Sequence, residues 1–251
     1  MLTLARVSKA YGAARILKEI SLEVGPGETL GLVGMSGSGK STLAHCILGL
    51  EHPDGGTISW RGQSLATRPA RRAARQAIQP VFQDPRASLN PRWTVRQILG
   101  EPLDNWFPAL RGQARAARLD ELLDAVALTP ELLHRNPHEL STGQCQLVCI
   151  ARALAPEPSL LILDEPLSAL DMSVQATLLA LLRDLQARKG LGYLFISHDI
   201  ALVGALCQRV AVLDQGAIVE QGPVASVLGL PGHPSTQALL ADSLTMPEWA
   251  G

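Results

Sequence analysis

The rhythm of apolar and polar positions changes several times along this chain. Over residues 2–7 and 21–24 apolar side chains alternate with polar ones, the period of a half-buried strand, which predicts an antiparallel edge sheet. Thr29-Leu30-Gly31-Leu32-Val33 is almost continuously apolar and predicts a buried strand that runs straight into Gly34. From Lys40 to Leu50 the apolar spacing fits a helix, and Pro53-Asp54-Gly55-Gly56 predicts the turn after it. Further strands are expected at Ile58-Ser59-Trp60 and over residues 78–82, the second ending at Gln83-Asp84-Pro85.

The rhythm then becomes helical from about Val95 to Leu128, with few strand signals, so residues 84–153 are expected to form a helical lobe inserted into a sheet domain. After it the pattern returns to strand–helix units. Strands are predicted over residues 160–163, 193–196 and 210–213, with helices over 173–188 and 200–206 between them. Strands that alternate with helices imply a mostly parallel sheet, hence an α/β fold. Gln215-Gly216 reads as a hairpin turn into Ala217-Ile218-Val219, and two short helices are expected over residues 223–228 and 236–244. The chain thus reads as one domain, with residues 1–83 and 154–251 as its core and 84–153 as the helical insertion.

Composition narrows the function classes. The chain has 251 residues, 47% hydrophobic and 18% charged, enough for one large α/β domain and unlike a disordered chain. A formal net charge of −1 gives no overall pull towards nucleic acid or anionic lipid, so no nucleic-acid partner is expected. The one dense basic run, Arg68, Arg71, Arg72 and Arg75, is interleaved with Pro69 and alanines and predicts a solvated helix or loop face. No apolar stretch approaches the roughly 20 residues needed to span a bilayer. Arg6 and Lys9 fall where an export signal needs its apolar part, so the chain is expected to stay in the cytoplasm. Cys46, Cys145, Cys149 and Cys207 lack the paired spacing of a zinc or iron–sulfur site and read as small core residues. His134 and His138 are four apart, but Pro137 interrupts any helix that would align them as metal ligands.

Two motifs carry chemistry. Gly34-Met35-Ser36-Gly37-Ser38-Gly39-Lys40-Ser41 lies between a buried strand and a helix. There, successive backbone N–H groups can converge on a β-phosphate at the helix N-terminus. Lys40 adds a cation for the β- and γ-oxygens, and the Ser41 hydroxyl can ligate Mg²⁺. The second motif is Leu160-Leu161-Ile162-Leu163-Asp164-Glu165, four aliphatic residues ending in two acids. It sets a carboxylate at the carboxyl edge of the sheet, where Asp164 suits Mg²⁺ and Glu165 can take a proton from an attacking water.

With these motifs stand Leu140-Ser141-Thr142-Gly143-Gln144, Gln83, Ser168-Ala169-Leu170-Asp171, Ser197-His198-Asp199 and Tyr11. In this order the chain resembles the ATP-binding subunits of ATP-binding cassette (ABC) transporters over essentially its whole length. The pentapeptide at Ser141 is similar to the family signature, Gln83 to its glutamine loop, Asp171 to its D-loop and His198 to its switch histidine. The resemblance implies a P-loop NTPase of the ABC ATPase fold: a RecA-like core, an antiparallel β subdomain and the inserted helical subdomain. It implies ATP held by Tyr11 against adenine and by Gly34, Met35, Ser36, Gly37, Ser38, Gly39, Lys40, Ser41 and Thr42. Ser141, Gly143, Gln144 and Asp171 would serve the nucleotide across a dimer seam. Mg²⁺ would fall to Ser41, Gln83 and Asp164, and catalysis to Glu165, His198 and Gln83. Two such subunits would sandwich ATP, closing on it and reopening after hydrolysis.

Finer phrasing resembles the branch of the family that imports peptides and nickel. It includes Phe82-Gln83-Asp84-Pro85, then Ser88-Leu89-Asn90-Pro91-Arg92, and a tail with Gly222-Pro223 and His233-Pro234. Gly49-Leu50-Glu51 and Cys207-Gln208-Arg209-Val210 point towards its nickel-importing members, with import of dipeptides or oligopeptides as the alternative. That branch implies a second, different ATP-binding subunit, two transmembrane permease subunits and, indirectly, a substrate-binding protein. The expected location is peripheral, on the cytoplasmic face of a bacterial inner membrane. Two positions depart from the family: Thr142 replaces the first glycine of the signature pair, and Leu147 stands where arginine is usual. A soluble non-transport ABC ATPase usually carries two cassettes, coiled coils or zinc inserts, none of which is visible here. A GTPase would need a guanine-reading Asn-Lys-x-Asp segment that the chain lacks.

Overall fold

Segments with nothing but apolar side chains have no face to offer water, and they become the strands around which this chain is organised. The computed structural model describes residues 1–244. In chain order, strands β1 (Leu2–Tyr11), β2 (Ala14–Val24) and β3 (Thr29–Val33) precede helix α1 (Lys40–Leu48). Strands β4 (Gly55–Trp60) and β5 (Gln63–Ser64) and helix α2 (Arg68–Ala77) follow. Strand β6 (Ile78–Val81) leads to helices α3 (Val95–Trp106) and α4 (Gly112–Asp124), two 3-10 turns (Pro130–His134 and Pro137–Glu139) and helix α5 (Thr142–Leu154). The remainder is β7 (Leu160–Asp164), α6 (Met172–Lys189), β8 (Gly192–Ile196), α7 (Ile200–Leu206), β9 (Arg209–Asp214), β10 (Ala217–Pro223), α8 (Val224–Gly229) and α9 (Pro234–Leu244).

The chain forms two compact units: Met1–Arg75 joined by the chain from Gly192 onward, and Gln76–Leu191. In the first unit, β3 lies between β8 and β9 with all three parallel, and β10 closes the edge antiparallel to β9. Every residue of β3 and β8 is buried, as strands covered on both faces require. A second, antiparallel sheet has the order β2-β1-β4-β5. Its strands run past the expected limits because β-bulges interrupt the alternation. Between Leu4 and Val7 the pairing with β2 shifts register, with Arg6 at φ 51, so Leu2, Leu4 and Val7 all still face inward.

In the second unit, β6 and β7 pair in parallel. The helices that follow bury an aliphatic core of Leu99, Leu103, Leu119, Leu122, Leu123 and Val148. The helical run expected over residues 95–128 breaks between α3 and α4, where Pro108 lacks an amide N–H and Gly112 takes φ 57. Helix α1 stops at Leu48, earlier than expected, because Gly49 adopts φ 67 and its N–H bonds Cys46 O at 3.2 Å. Gly55 and Gly56 belong to β4 rather than to the preceding turn. The basic run forms α2, with Arg68, Arg72 and Arg75 exposed. Among the described residues, no helix is long and apolar enough to cross a membrane.

Candidate functional site

The chemistry-bearing residues of the first unit gather at the carboxyl ends of β3 and β8. These strands are neighbours with Leu32 opposite Ile196, and Ser197 N donates to Leu32 O at 3.2 Å. Gly34 and His198, each two residues beyond that pair, therefore leave the sheet at the same edge. At Gly34 a Cβ would lie 2.1 Å from Leu213 O and 2.8 Å from Ser38 Oγ, so the loop can start its turn here only without a side chain. Gly39, at φ 110, caps α1, and a Cβ on it would meet Ile16 O at 3.0 Å.

Lys40 is 7% exposed, and its Nζ donates to Gly34 O at 2.8 Å and Met35 O at 3.0 Å. The ammonium is thus held inside the ring of the loop. Met35, Ser36, Gly37 and Ser41 are exposed, Thr42 is half-buried, and Ser38 Oγ is buried with no hydrogen-bond partner among the described residues. The first turn of α1 carries no acidic residue, so no carboxylate of its own offsets the positive end of its dipole. A cation, a helix start and a buried hydroxyl fit an anion with several oxygens.

Tyr11 ends β1 with 47% of its surface exposed. Its hydroxyl donates to the Glu51 carboxylate, which lies past α1, and that bond holds the phenol above its usual pKa. Lys9 sits 5.3 Å from the ring centroid and is fixed by His52 O at 2.8 Å and by Asp54 at 3.5 Å. The ring is left as an anchored flat surface beside the loop helix. His198 is exposed at the start of the loop before α7, whose cap Asp199 accepts from Ala201 N at 2.8 Å and Leu202 N at 3.2 Å.

In the second unit, the parallel register of β6 and β7 sets Val81 opposite Leu163, so Gln83 and Glu165 emerge side by side. Gln83 Nε2 donates to Glu165 Oε2 at 3.2 Å. Asp164 is the last residue of β7 and 7% exposed, whereas Glu165 is half-buried at φ 46. A glutamate in the left-handed region costs on the order of 1 kcal/mol or more and persists where its neighbours fix it. Here Ser168 N and Ser168 Oγ both donate to Glu165 O, at 3.3 and 3.0 Å.

The signature serine caps α5. Ser141 Oγ accepts from Gln144 N at 3.1 Å and Gln144 Oε1 accepts from Ser141 N at 2.9 Å, a reciprocal capping box. Thr142 is the first residue of the helix, and Gly143 has no room for a side chain without pressing Val174 Cγ1, 3.0 Å from a Cβ placed there. Val174 belongs to the first turn of α6, which Asp171 caps by accepting from Val174 N at 3.0 Å and Ser173 Oγ at 2.8 Å. The Val174 amide and then the Ser173 hydroxyl hold the Asp171 carboxyl below the usual carboxylate range.

His134 and His138 end on separate 3-10 turns. The four cysteines are free and buried, and burial pushes the Cys149 and Cys207 thiols up to about 12. In the first unit the glycine loop and His198 thus leave the sheet at one edge; in the second Gln83 and Glu165 meet beyond β6 and β7, while the start of α5 lies against the first turn of α6, capped by Asp171. Sequence reasoning missed Glu51 as the partner of Tyr11 and Arg86 as a partner of the signature segment. Glu51 had only its place in Gly49-Leu50-Glu51 to mark it, and Arg86 nothing beyond its charge.

Residues 17–168 match the family described as ABC transporter. Among curated relatives, the nickel import ATP-binding protein NikE of Rhodospirillum rubrum is 48% identical over 250 residues, covering 95% of this chain and 90% of that protein. The protein of the same name from Escherichia coli O157:H7 is 50% identical over 215 residues, 85% of this chain and 80% of that one. Among solved structures, CbiO1 of Clostridium perfringens, part of the ABC transporter complex CbiONQ, superposes with a TM-score of 0.82 at 29% identity, covering 91% of this chain and 90% of that one. A dimeric ATP-binding cassette in a post-hydrolysis state bound to ADP and Pi gives 0.80 at 28% identity, covering 89% of this chain and 99% of that one.

Proposed function

The chain belongs to the ABC transporter family and is an ATPase, and from that premise we propose that it energises an importer of nickel ions or a nickel chelate. The observation that carries the nickel reading is the near end-to-end likeness, 48% identity over 95% of this chain, to a nickel import ATP-binding protein. In this reading it pairs with a second ATP-binding subunit, docks on two membrane permease subunits fed by a substrate-binding protein, and works at the cytoplasmic face of a bacterial cell membrane.

The reading assigns each side chain a task its surroundings suit. Tyr11 stacks on adenine with the face that its bond to Glu51 leaves exposed. Lys40 exchanges the carbonyls of Gly34 and Met35 for phosphate oxygens, a charge-assisted bond in place of a weaker one. Amides of residues 37–41 and the hydroxyl of Ser38 cradle the β-phosphate. Glu165 accepts the proton of the attacking water, and His198 and Gln83 orient the γ-phosphate and that water. Ser141 and the amide end of α5 close on the γ-phosphate bound by the partner subunit, with Gly143, Gln144 and Asp171 shaping that contact.

In this reading Mg²⁺ would fall to Ser41, Asp164 and Gln83, whose side chains are hard oxygen donors of the kind the ion takes. When bound, the ion supplies charge neutralisation at the β- and γ-oxygens. The test is uptake by the complete complex, reconstituted in vesicles with ATP on the side of the ATPase, of radiolabelled nickel against a labelled dipeptide. ATP-dependent nickel uptake that Glu165→Gln abolishes is the expected result; dipeptide uptake without nickel uptake would move the chain to the peptide-importing alternative.

A further inference from the structure

Between β6 and α3 the chain runs as a short strap tied down at both edges. Asp84 Oδ1 accepts from Arg86 N at 2.9 Å and Ala87 N at 3.0 Å, and Ser88 Oγ donates to Asp84 O at 2.6 Å. Leu89 is 1% exposed, an apolar pin for the strap. Helix α5 grips it from the other side: Arg152 Nη1 donates to Ser88 O at 2.6 Å, and Cys149 Sγ lies 3.6 Å from Pro85 O. A segment so held moves as a piece, not as a free loop.

One side chain of this strap reaches the signature. The Arg86 guanidinium donates from Nη2 to Leu140 O at 2.8 Å and from Nη1 to Pro137 O at 3.4 Å. Leu140 O and Ser141 N belong to the same peptide group, and its N–H donates to Gln144 Oε1 at 2.9 Å. That peptide plane is held on one side by Arg86 and on the other by the capping box, and its rotation sets where Ser141 Oγ points. At the other end of the strap, three residues before Arg86, Gln83 Nε2 meets Glu165 Oε2 at 3.2 Å. Four consecutive residues thus connect the Glu165 carboxylate to the peptide that aims the signature serine.

We propose that Arg86 is a positioning residue that couples the Gln83–Glu165 pair to the orientation of Ser141, so that a displacement of Gln83 re-aims the signature of the same subunit. The inference rests on the reading that Glu165 and Ser141 face nucleotide. The guanidinium suits the task because its planar fork holds two carbonyls of one turn at once, and a charged donor makes the stronger bond. An apolar side chain of similar length would fill the space and leave Leu140 O without its charged partner.

ATP-driven association with the sister subunit, followed by light scattering, reads this directly when Glu165→Gln is the parent and Arg86→Met is added to it. The added change is expected to raise the ATP concentration for half-maximal association by about tenfold, the loss of roughly one charged hydrogen bond. Binding of a fluorescent ATP analogue to the lone subunit, and its melting temperature, should stay close to the parent's, and Arg86→Lys should recover part of the loss. In a four-variant cycle, Gln83→Ala and Arg86→Met should be non-additive, because either one breaks the same connection.

Association at the parent's ATP concentration, additivity in the cycle, or a parallel fall in melting temperature and analogue binding would each overturn the coupling role. A Glu165→Gln parent that shows no ATP-dependent association at all would instead remove the dimer-seam reading on which it stands, and the coupling with it.

Discussion

At Tyr11 a single carboxylate decides how the ring is presented. The chain has two tyrosines, and the other, Tyr193, is fully buried in β8, so an alkaline absorbance titration of the native protein reports on Tyr11. Its phenol titrates above the usual value of about 10, chiefly because the hydroxyl donates to Glu51. A raised folded pKa means that the contribution of this bond is complete below the ordinary phenol pKa and is lost as pH rises through the folded one. Glu51→Ala should lower the titration midpoint and raise the KM for ATP severalfold with kcat little changed, because the ring loses its anchor and not its chemistry. A KM that does not move would detach Tyr11 from the nucleotide. At this scale the sequence was legible where several residues form a compact pattern, as in the loop between β3 and α1 and the acid pair Asp164-Glu165 at the end of β7. It was silent on Glu51 and Arg86, whose partners lie 40 and 54 residues away in the chain.

Element boundaries show the same division. Buried strands such as β3 and β8 were legible because their apolar runs have no competing period, whereas the capping box of Ser141 and Gln144 that starts α5 shows only in the structure. The long strands β1 and β2 were read too short because bulges at Arg6 and Glu19, both at positive φ, shift the phase of an alternation that sequence reading takes as constant. The break between α3 and α4 was missed because apolar spacing stays helical on both sides of it. The capping box makes a testable distinction. Ser141→Ala removes the cap and should cost about 1 kcal/mol of stability as well as ATP-driven association. Ser141→Asp keeps a capping oxygen and should melt near the wild-type temperature, yet its negative charge should abolish association with a partner's γ-phosphate. Calorimetry with light scattering separates the two, and association by Ser141→Asp at wild-type ATP concentrations would take Ser141 out of the seam.

For the whole molecule, both compact units follow one plan: parallel strands end in loops that bring their polar residues to a shared edge. In the first unit the register of β3 and β8 does this for Gly34 and His198, and in the second the register of β6 and β7 does it for Gln83 and Glu165. The order of motifs along the chain was therefore legible before any fold was known, while the strand registers that make neighbours of distant residues were not. In the proposed function ATP is a clamp between two subunits that hydrolysis releases. The most direct measurement is sedimentation of the Glu165→Gln variant mixed with its sister ATP-binding subunit, with and without Mg-ATP, alongside phosphate release. The account predicts a stable dimer that forms only with ATP, and phosphate release reduced by about a hundredfold or more relative to wild type. Wild-type phosphate release by the variant, or a mixture that stays monomeric in saturating ATP, would contradict it.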